Sequence, residues 1–164
     1  MFSDELTFCT FQSFSKLVRR PPNARYNPRY IIATVKKPLS VIVWGSVTAQ
    51  GRAGLLFLPK KETMNAEKYL NLLQEKLPVW MNIRKTQLFQ QDGVPCPTAK
   101  KLKKWFQDKP FNLLDPWPGA SPDLNIIENV WSHMKKKVAL RSPSTYEELV
   151  NSIKEVWTLS LIHI

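Results

Sequence analysis

The chain has 164 residues, of which 43% are hydrophobic, which suits one globular domain and excludes an intrinsically disordered chain. Lysine and arginine number 24 against 13 aspartate and glutamate residues, so the net charge of +11 favours a polyanionic partner, most simply nucleic acid. No stretch approaches the roughly 20 apolar residues of a membrane span, so we expect neither a membrane partner nor a secretory signal.

The N-terminal half predicts strands on either side of a basic loop. Residues 19–38 are rich in proline and arginine and predict an extended loop. β-Branched and aromatic residues predict a hairpin further along, whose turn is bracketed by Gly51 and Gly54. The expected strands are residues 1–8, 41–49 and 55–59.

In the second half of the chain, strand patterns alternate with helical ones. Asn65 and Thr98 predict the caps of two helices, and a last helix begins with a capping box formed by Ser144 and Glu147. Strands followed by strands alternating with helices predict an α/β domain in which helices flank a mixed sheet. The expected strands here are residues 86–91 and 111–114.

The segment SPDLNIIENVW, residues 121–131, predicts a helix that begins at its first residues. Ser121 suits the cap, Pro122 the first helical position, and Asp123 the positive end of the helix dipole. Glu128 lies at the edge of the predicted apolar stripe, where a carboxylate is costly unless it has a role. The stripe consists of Leu124, Ile127, Trp131, Met134 and Val138.

The tryptophans, cysteines and histidines are interpreted as structural residues. Trp80 and Trp117 are interpreted as residues of proline-rich loops, where a surface position is open to them, and His133 is interpreted as a polar helix residue. Two cysteines fit a reducing compartment, and with the two histidines they match no closed zinc motif. The tryptophans expected in the core are Trp44, Trp105, Trp131 and Trp157.

Three acidic residues are positioned where a metal site would need them. Asp4 lies on the first strand, Asp92 ends a later strand, and Glu128 lies on a helix after the last strand. Three carboxylates brought together would repel one another and favour hard divalent cations such as Mg²⁺ or Mn²⁺. For each residue taken alone, the sequence favours an ordinary cap or a surface position over a metal-binding role.

The motifs FSDE, VWGSV, FQQDGVPCPTA and WPGASPDLNIIENVW, in this order, resemble the catalytic domain of mariner-superfamily transposases with an Asp-Asp-Glu triad. The resemblance runs from Phe2 to about Val138. It implies a ribonuclease-H-like fold and metal-dependent cleavage and strand transfer of DNA, as in DNA transposition and integration. By motif position, it implies that Asp4, Asp92 and Glu128 are catalytic and hold Mg²⁺ (or Mn²⁺).

The chain departs from the resembled family in several places. Residues for N-terminal helix-turn-helix modules do not precede Asp4, so we expect residues 1–164 to be a single, truncated or domesticated catalytic domain. Gly93 and Pro97 replace polar residues that are usual in the loop after the second aspartate, and one extra residue separates the second and third acids. We therefore assign enzymatic activity to the ancestral protein and leave present activity open. The alternative is a catalytically inactive nucleic-acid-binding or interaction domain.

Two basic clusters are the candidates for DNA contact. The first matches the basic segment that follows the first strands in the resembled family, and the second forms one face of a predicted helix. A solvated surface is the alternative for both. A DNA substrate implies a nuclear location, and a homodimer is left open. The clusters comprise Arg19, Arg20, Arg25 and Arg29, and Lys100, Lys101, Lys103 and Lys104.

Overall fold

A computed structural model describes the chain over residues 1–10, 19–23, 26–30, 38–58, 66–91, 96–114, 116–118 and 123–160. Several residues named above therefore lie outside the description: Arg25, Asn65, Asp92, Gly93, Ser121 and Pro122. The backbone of Lys100 is described, but its side chain is not. No helix in the described ranges is long and apolar enough to cross a membrane.

A five-stranded sheet forms the centre of the molecule, with the strand order β3-β2-β1-β4-β5. Strand β1 pairs antiparallel with β2 and parallel with β4, and β4 pairs parallel with β5. This mixed sheet confirms the predicted fold class. The strands are β1 (Phe2–Cys9), β2 (Ser40–Thr48), β3 (Gly51–Phe57), β4 (Leu88–Gln91) and β5 (Asn112–Leu113).

Helices cover both faces of the sheet because the strands are apolar on both sides. On one face, Phe8 and Val43 pack with the apolar stripes of α3 and α4. On the other face, Trp44 and Phe89 pack against α1 and α2. The helices are α1 (Ala66–Ile83), α2 (Cys96–Gln107), α3 (Ile126–Leu140) and α4 (Tyr146–Ser160).

The predicted hairpin is correct, but its predicted turn is wrong. The turn consists of Ala49 and Gln50, whereas Gly51 begins β3 and Gly54 lies inside that strand. A Cβ on Gly54 would approach the ring of Trp80 to 2.7 Å. Close packing rather than chain reversal therefore accounts for this glycine.

The loop context predicted for Trp80 is also wrong, and its side chain is half-buried. The helix α1 continues through Pro78, and Trp80 stacks on the buried ring of Trp44 with ring centroids 5.4 Å apart. Apolar packing offsets the backbone hydrogen bond that a proline removes inside a helix. Trp117 is half-buried and contacts Phe2 edge-on. Of the tryptophans expected in the core, Trp44, Trp131 and Trp157 are buried, and Trp105 is half-buried.

The start of α3 lies later in the chain than the sequence predicted. Asn125 is the N-cap, with an extended backbone (φ −92°, ψ 98°), and its carbonyl accepts the N–H of Glu128 at 3.0 Å. Asp123 and Leu124 form a turn before the helix, so they are not helix-start residues, and Leu124 is exposed. The extended conformation at Asn125 prevents the helix from continuing upstream. The rest of the predicted stripe, Ile127, Trp131, Met134 and Val138, is buried.

The two remaining helix starts also differ from the predictions. Helix α2 begins at Cys96, so Thr98 lies inside the helix rather than at its cap. At α4 the capping box is formed by Thr145 and Glu148. The Thr145 hydroxyl accepts the N–H of Glu148 at 3.2 Å, and the Glu148 carboxylate accepts the N–H of Thr145 at 3.4 Å and that of Ser144 at 2.8 Å. The box is one residue later than predicted, because Thr145 precedes the first helical residue.

Replacing Glu148 with glutamine is expected to reduce stability at neutral pH. This loss of stability should become smaller as the pH is lowered. Hydrogen bonds from Ser144 hold the pKa of Glu148 below its ordinary value of 4.5. Because the folded-state pKa is lowered, this stabilisation is present above the unfolded pKa and is lost as pH falls through the folded pKa. Thermal unfolding of the parent and Glu148→Gln between about pH 7 and about pH 3 measures this difference.

The matched control is Glu147→Gln, which makes the same chemical change at an exposed position in the same helical turn. We expect it to leave Tm at neutral pH close to that of the parent. A destabilisation by Glu148→Gln that persists undiminished in acid would contradict the assigned role.

Candidate functional site

Asp4 lies on the face of the sheet that α3 and α4 cover. Its neighbours at alternate positions, Phe2 and Leu6, pack into the apolar cluster formed with these helices. Because side chains alternate along a strand, Asp4 shares that face. It is half-buried, and its strand partner on β2 is Gly45.

Glu128 lies in the first turn of α3 and is half-buried. The positive end of the helix dipole favours a carboxylate at this position. The residues that bracket it on the inner side, Ile127 and Trp131, anchor the helix in the core. The carboxylate therefore sits on a rigid element at the rim of the apolar cluster, as the sequence predicted.

The contact between Gly45 and α3 determines how close the helix that carries Glu128 lies to the strands beside Asp4. A Cβ at this residue would approach the ring of Trp131 to 2.4 Å, so only glycine allows α3 to lie this close to β2. Glu128 precedes Trp131 by three residues, which is about one helical turn. Glu128 therefore lies about one helical turn from Trp131, which contacts Gly45. Gly45 is the residue of β2 that pairs with Asp4.

The second predicted acid, Asp92, lies outside the described residues. The last described residue before it is Gln91, which pairs with Ser3 in the parallel ladder between β1 and β4. The hydroxyl of Tyr69 on α1 donates a 2.7 Å hydrogen bond to Gln91 Oε1 and so holds the end of β4. Among the described residues, which exclude Asp92, no three His, Cys, Asp or Glu side chains cluster as a metal site.

Asp4 and Glu5 make the first half of β1 negatively charged. Desolvation and the charge of Asp4 raise the pKa of Glu5. On the α1 side, burial raises the pKa of Tyr69, so its phenol stays protonated and serves as a hydrogen-bond donor. A cation near Asp4 would lower the cost of this concentration of negative charge.

Sequence reasoning missed the buried polar residues that flank the predicted acids. Ser3, Gln90 and Asn125 are each only 1% exposed. The hydroxyl of Ser3 donates to the Gln90 carbonyl at 3.0 Å. The signal available in the sequence was a polar residue one to three positions before each acid, in the motifs SDE, QQD and NIIE.

The predicted DNA-contact residues that the structure describes are exposed. Arg19, Arg20 and Arg29 lie in the two described parts of the basic loop, and a 3₁₀ turn, Pro28–Tyr30, contains Arg29. The lysines of α2 likewise point to solvent, as expected for a charged helix face. These are Lys101, Lys103 and Lys104.

Comparison with known proteins assigns the chain to a family. Residues 1–150 match the model of the DDE superfamily endonuclease family. Transposable element Tc1 transposase from Caenorhabditis elegans is 34% identical over 170 residues, covering 99% of this chain and 61% of that protein. Transposable element Tcb2 transposase from Caenorhabditis briggsae is 34% identical over 161 residues, covering 96% of this chain and 58% of that protein. The chain thus spans about three fifths of the length of these curated relatives.

Solved structures share the fold. The Mos1 transposase paired-end complex with left transposon end superposes with a TM-score of 0.74 at 18% identity, covering 96% of this chain and 47% of that one. The Mos1 mariner paired-end complex with Mn gives a TM-score of 0.68, also at 18% identity and with the same coverage. The fold is therefore that of the ribonuclease-H-like transposase catalytic domain. By the family match and these relatives, the chain belongs to the DDE superfamily endonucleases and is a catalytic domain of the mariner-transposase type.

Proposed function

We propose that this chain carries out metal-dependent DNA strand cleavage and strand transfer, with Asp4, Asp92 and Glu128 as the catalytic carboxylates. One observation carries the proposal. Asp4 and Glu128 lie on the same side of the sheet, and β4 pairs with β1 up to the residue before Asp92. This placement supports the proposal because the chain belongs to an endonuclease family whose name denotes such a triad.

The described residues fit a divalent metal ion. Membership in the family implies the use of such an ion, and carboxylate oxygens are the donors that Mg²⁺ and Mn²⁺ prefer. Burial and the nearby negative charge of Asp4 raise the pKa of Glu5, so two carboxylates lie close together on β1. Asn125 Oδ1, three residues before Glu128, is a buried acceptor without a hydrogen-bond partner in the described part of the chain. We propose Mg²⁺ as the ion used in the cell and Mn²⁺ as a substitute.

In this proposal, some residues bind the metal ions and others position the residues that bind them. Two bound ions would supply charge neutralisation at the attacking and leaving oxygens of a phosphodiester. Asp4 and Glu128 would hold them from a strand and a helix whose relative position is set by the contact between Gly45 and Trp131. Tyr69 holds the end of β4 next to Asp92 through Gln91.

DNA is the proposed substrate and partner. The matched Mos1 structure contains a left transposon end, and this chain presents exposed basic residues on α2 and the basic loop. Phosphate neutralisation by such residues supplies sequence-independent affinity. A homodimer that brings two DNA ends together is part of the proposal, since the Mos1 complexes are paired-end complexes. A nuclear location follows from the proposed substrate.

The test is thermal unfolding of the purified chain against Mn²⁺ concentration, beside Asp92→Asn. A ligand at a hundredfold excess over its Kd stabilises the folded state by about 2.7 kcal/mol. For a chain of this size that is a rise in Tm on the order of 5–10 °C. We expect the parent to show this rise, Asp92→Asn to lose it, and the exposed control Asp108→Asn to retain it. A parent that does not respond would refute the metal site.

The alternative function is an inactive DNA-binding domain, which the exposed basic residues alone would support. It predicts that the logarithm of DNA affinity falls steeply with the logarithm of salt concentration, by about 0.9 for each phosphate neutralised. It also predicts that removing divalent ions with a chelator leaves DNA affinity unchanged. DNA binding with this pattern, together with no Mn²⁺ response of Tm, would favour the alternative.

A further inference from the structure

Buried polar residues are concentrated close in sequence to the predicted carboxylates. In the described part of the chain, three of the four buried polar residues precede the triad acids closely. Ser3 directly precedes Asp4, Gln90 precedes Asp92 by two residues, and Asn125 precedes Glu128 by three. The fourth is Ser46, between β2 and β3, where it accepts the N–H of Gly54 at 3.0 Å.

Two of these side chains have unsatisfied polar atoms. Both amide atoms of Gln90, and Oδ1 of Asn125, are buried without a hydrogen-bond partner among the described residues. Asn125 is the N-cap of α3, yet its side chain makes no capping bond. A buried amide without a partner costs about 1–3 kcal/mol in proteins, so its presence calls for a role or an ordered water.

The Gln90 side chain lies on the same face of the sheet as Asp4. Its neighbour Phe89 packs against α1 and α2, so alternation along β4 turns Gln90 towards the α3 side. Its partner in the ladder is Phe2, which also contacts Trp117 with ring centroids 6.3 Å apart. The indole Nε1 of Trp117 is likewise buried without a described partner. Unsatisfied donors and acceptors therefore collect on the face that carries the carboxylates.

We propose that Gln90 and Asn125 are positioning residues that hold ordered water beneath the carboxylates, as part of the hydration shell of the bound divalent ion. Such outer contacts orient metal ligands, and their loss weakens metal affinity by about 10–100-fold. A polar pocket with several donors and acceptors is the setting in which buried water is retained. The inference rests on the proposed metal-dependent function and assigns residues outside the triad to it.

The experiment measures Tm without metal and the Kd for Mn²⁺ by calorimetric titration, in the parent chain and in Gln90→Met. Methionine has a similar shape and no unsatisfied amide, so Tm without metal should stay the same or rise. The Kd for Mn²⁺ should weaken by about tenfold or more. Replacing a residue with a purely structural role would not weaken metal binding while leaving Tm the same or raising it.

Three further variants complete the design. Asn125→Leu should also weaken Mn²⁺ binding by about tenfold, whereas Asn125→Asp keeps the acceptor oxygen and should bind at least as tightly as the parent. Ser46→Ala removes a buried hydrogen bond between β2 and β3, so it should lower Tm and leave the Kd for Mn²⁺ unchanged.

The outcomes separate this inference from the proposed function. If the parent binds Mn²⁺ and Asp92→Asn does not, but Gln90→Met and Asn125→Leu bind within twofold of the parent, the positioning role is overturned while the metal site stands. If the parent does not bind Mn²⁺, the proposed function fails and this inference fails with it.

Discussion

Glu128→Gln is expected to abolish Mn²⁺-dependent cleavage of DNA by this chain, with a rate loss of about a hundredfold or more. The carboxylate extends from the first turn of α3 at the rim of the core, so glutamine keeps the shape and packing of the residue. The substitution removes the negative charge that a divalent ion requires. The measurement is nicking of supercoiled plasmid over time with Mn²⁺, together with the rise in Tm on adding Mn²⁺.

The matched control for this prediction is Glu147→Gln, in the first turn of α4. It makes the same chemical change at an exposed carboxylate, and we expect full nicking activity and a full metal response. Both variants should keep nearly the parent Tm without metal. Nicking by Glu128→Gln at the parent rate would remove Glu128 from the catalytic site and favour the inactive DNA-binding alternative.

Gly45→Ala is expected to destabilise the chain by about 1–3 kcal/mol, because overpacking a filled core forces side chains or backbone to shift. The added methyl group would lie 2.4 Å from the buried ring of Trp131, which has little room to move because it also packs against Phe8 and Trp157. For a chain of this size, Tm should fall by about 2–4 °C for each kcal/mol. Because the shift displaces α3 from β1 and β2, the Mn²⁺ response should weaken as well.

Gly54→Ala provides the matched comparison for Gly45→Ala. Its added methyl group would lie 2.7 Å from the ring of Trp80, so it should cause a similar loss of Tm. The strain there falls on α1, away from Glu128, and we expect Gly54→Ala to keep the Mn²⁺ response of the parent. Equal metal responses in the two variants would show that the contact between Gly45 and Trp131 does not position the carboxylates.

The strands and helices were predictable because their signals are local. A β-branched run gave β2, the apolar run that begins at Leu55 gave part of β3, and the helical spacing of Ile127, Trp131 and Met134 gave the buried face of α3. The element ends were less predictable, because they depend on backbone conformation at single residues. Asn125 is extended and begins α3 later than the capping signals at Ser121 and Pro122 indicated.

Residues whose role depends on a distant partner were misjudged. Trp80 lies near Pro78 and was interpreted as a loop residue, yet it belongs to α1 and stacks on Trp44, which lies 36 positions earlier in the chain. Gly54 was assigned to a turn, yet it provides space for Trp80. Gln90 received no role, because its burial follows from the pairing of β1 with β4 and not from its neighbours in sequence.

The sequence by itself determined the fold class, the family resemblance and the identity of the candidate acids, because these depend on residue types at short spacings. The tertiary structure alone decided which faces and which residues meet. Strand alternation assigns a side chain to a face only once pairing and register are known, and in this chain that register sets Asp4 opposite Gly45. The contact of Gly45 with Trp131 then determines how closely the helix carrying Glu128 approaches the strand carrying Asp4, because glycine leaves room there for the indole ring.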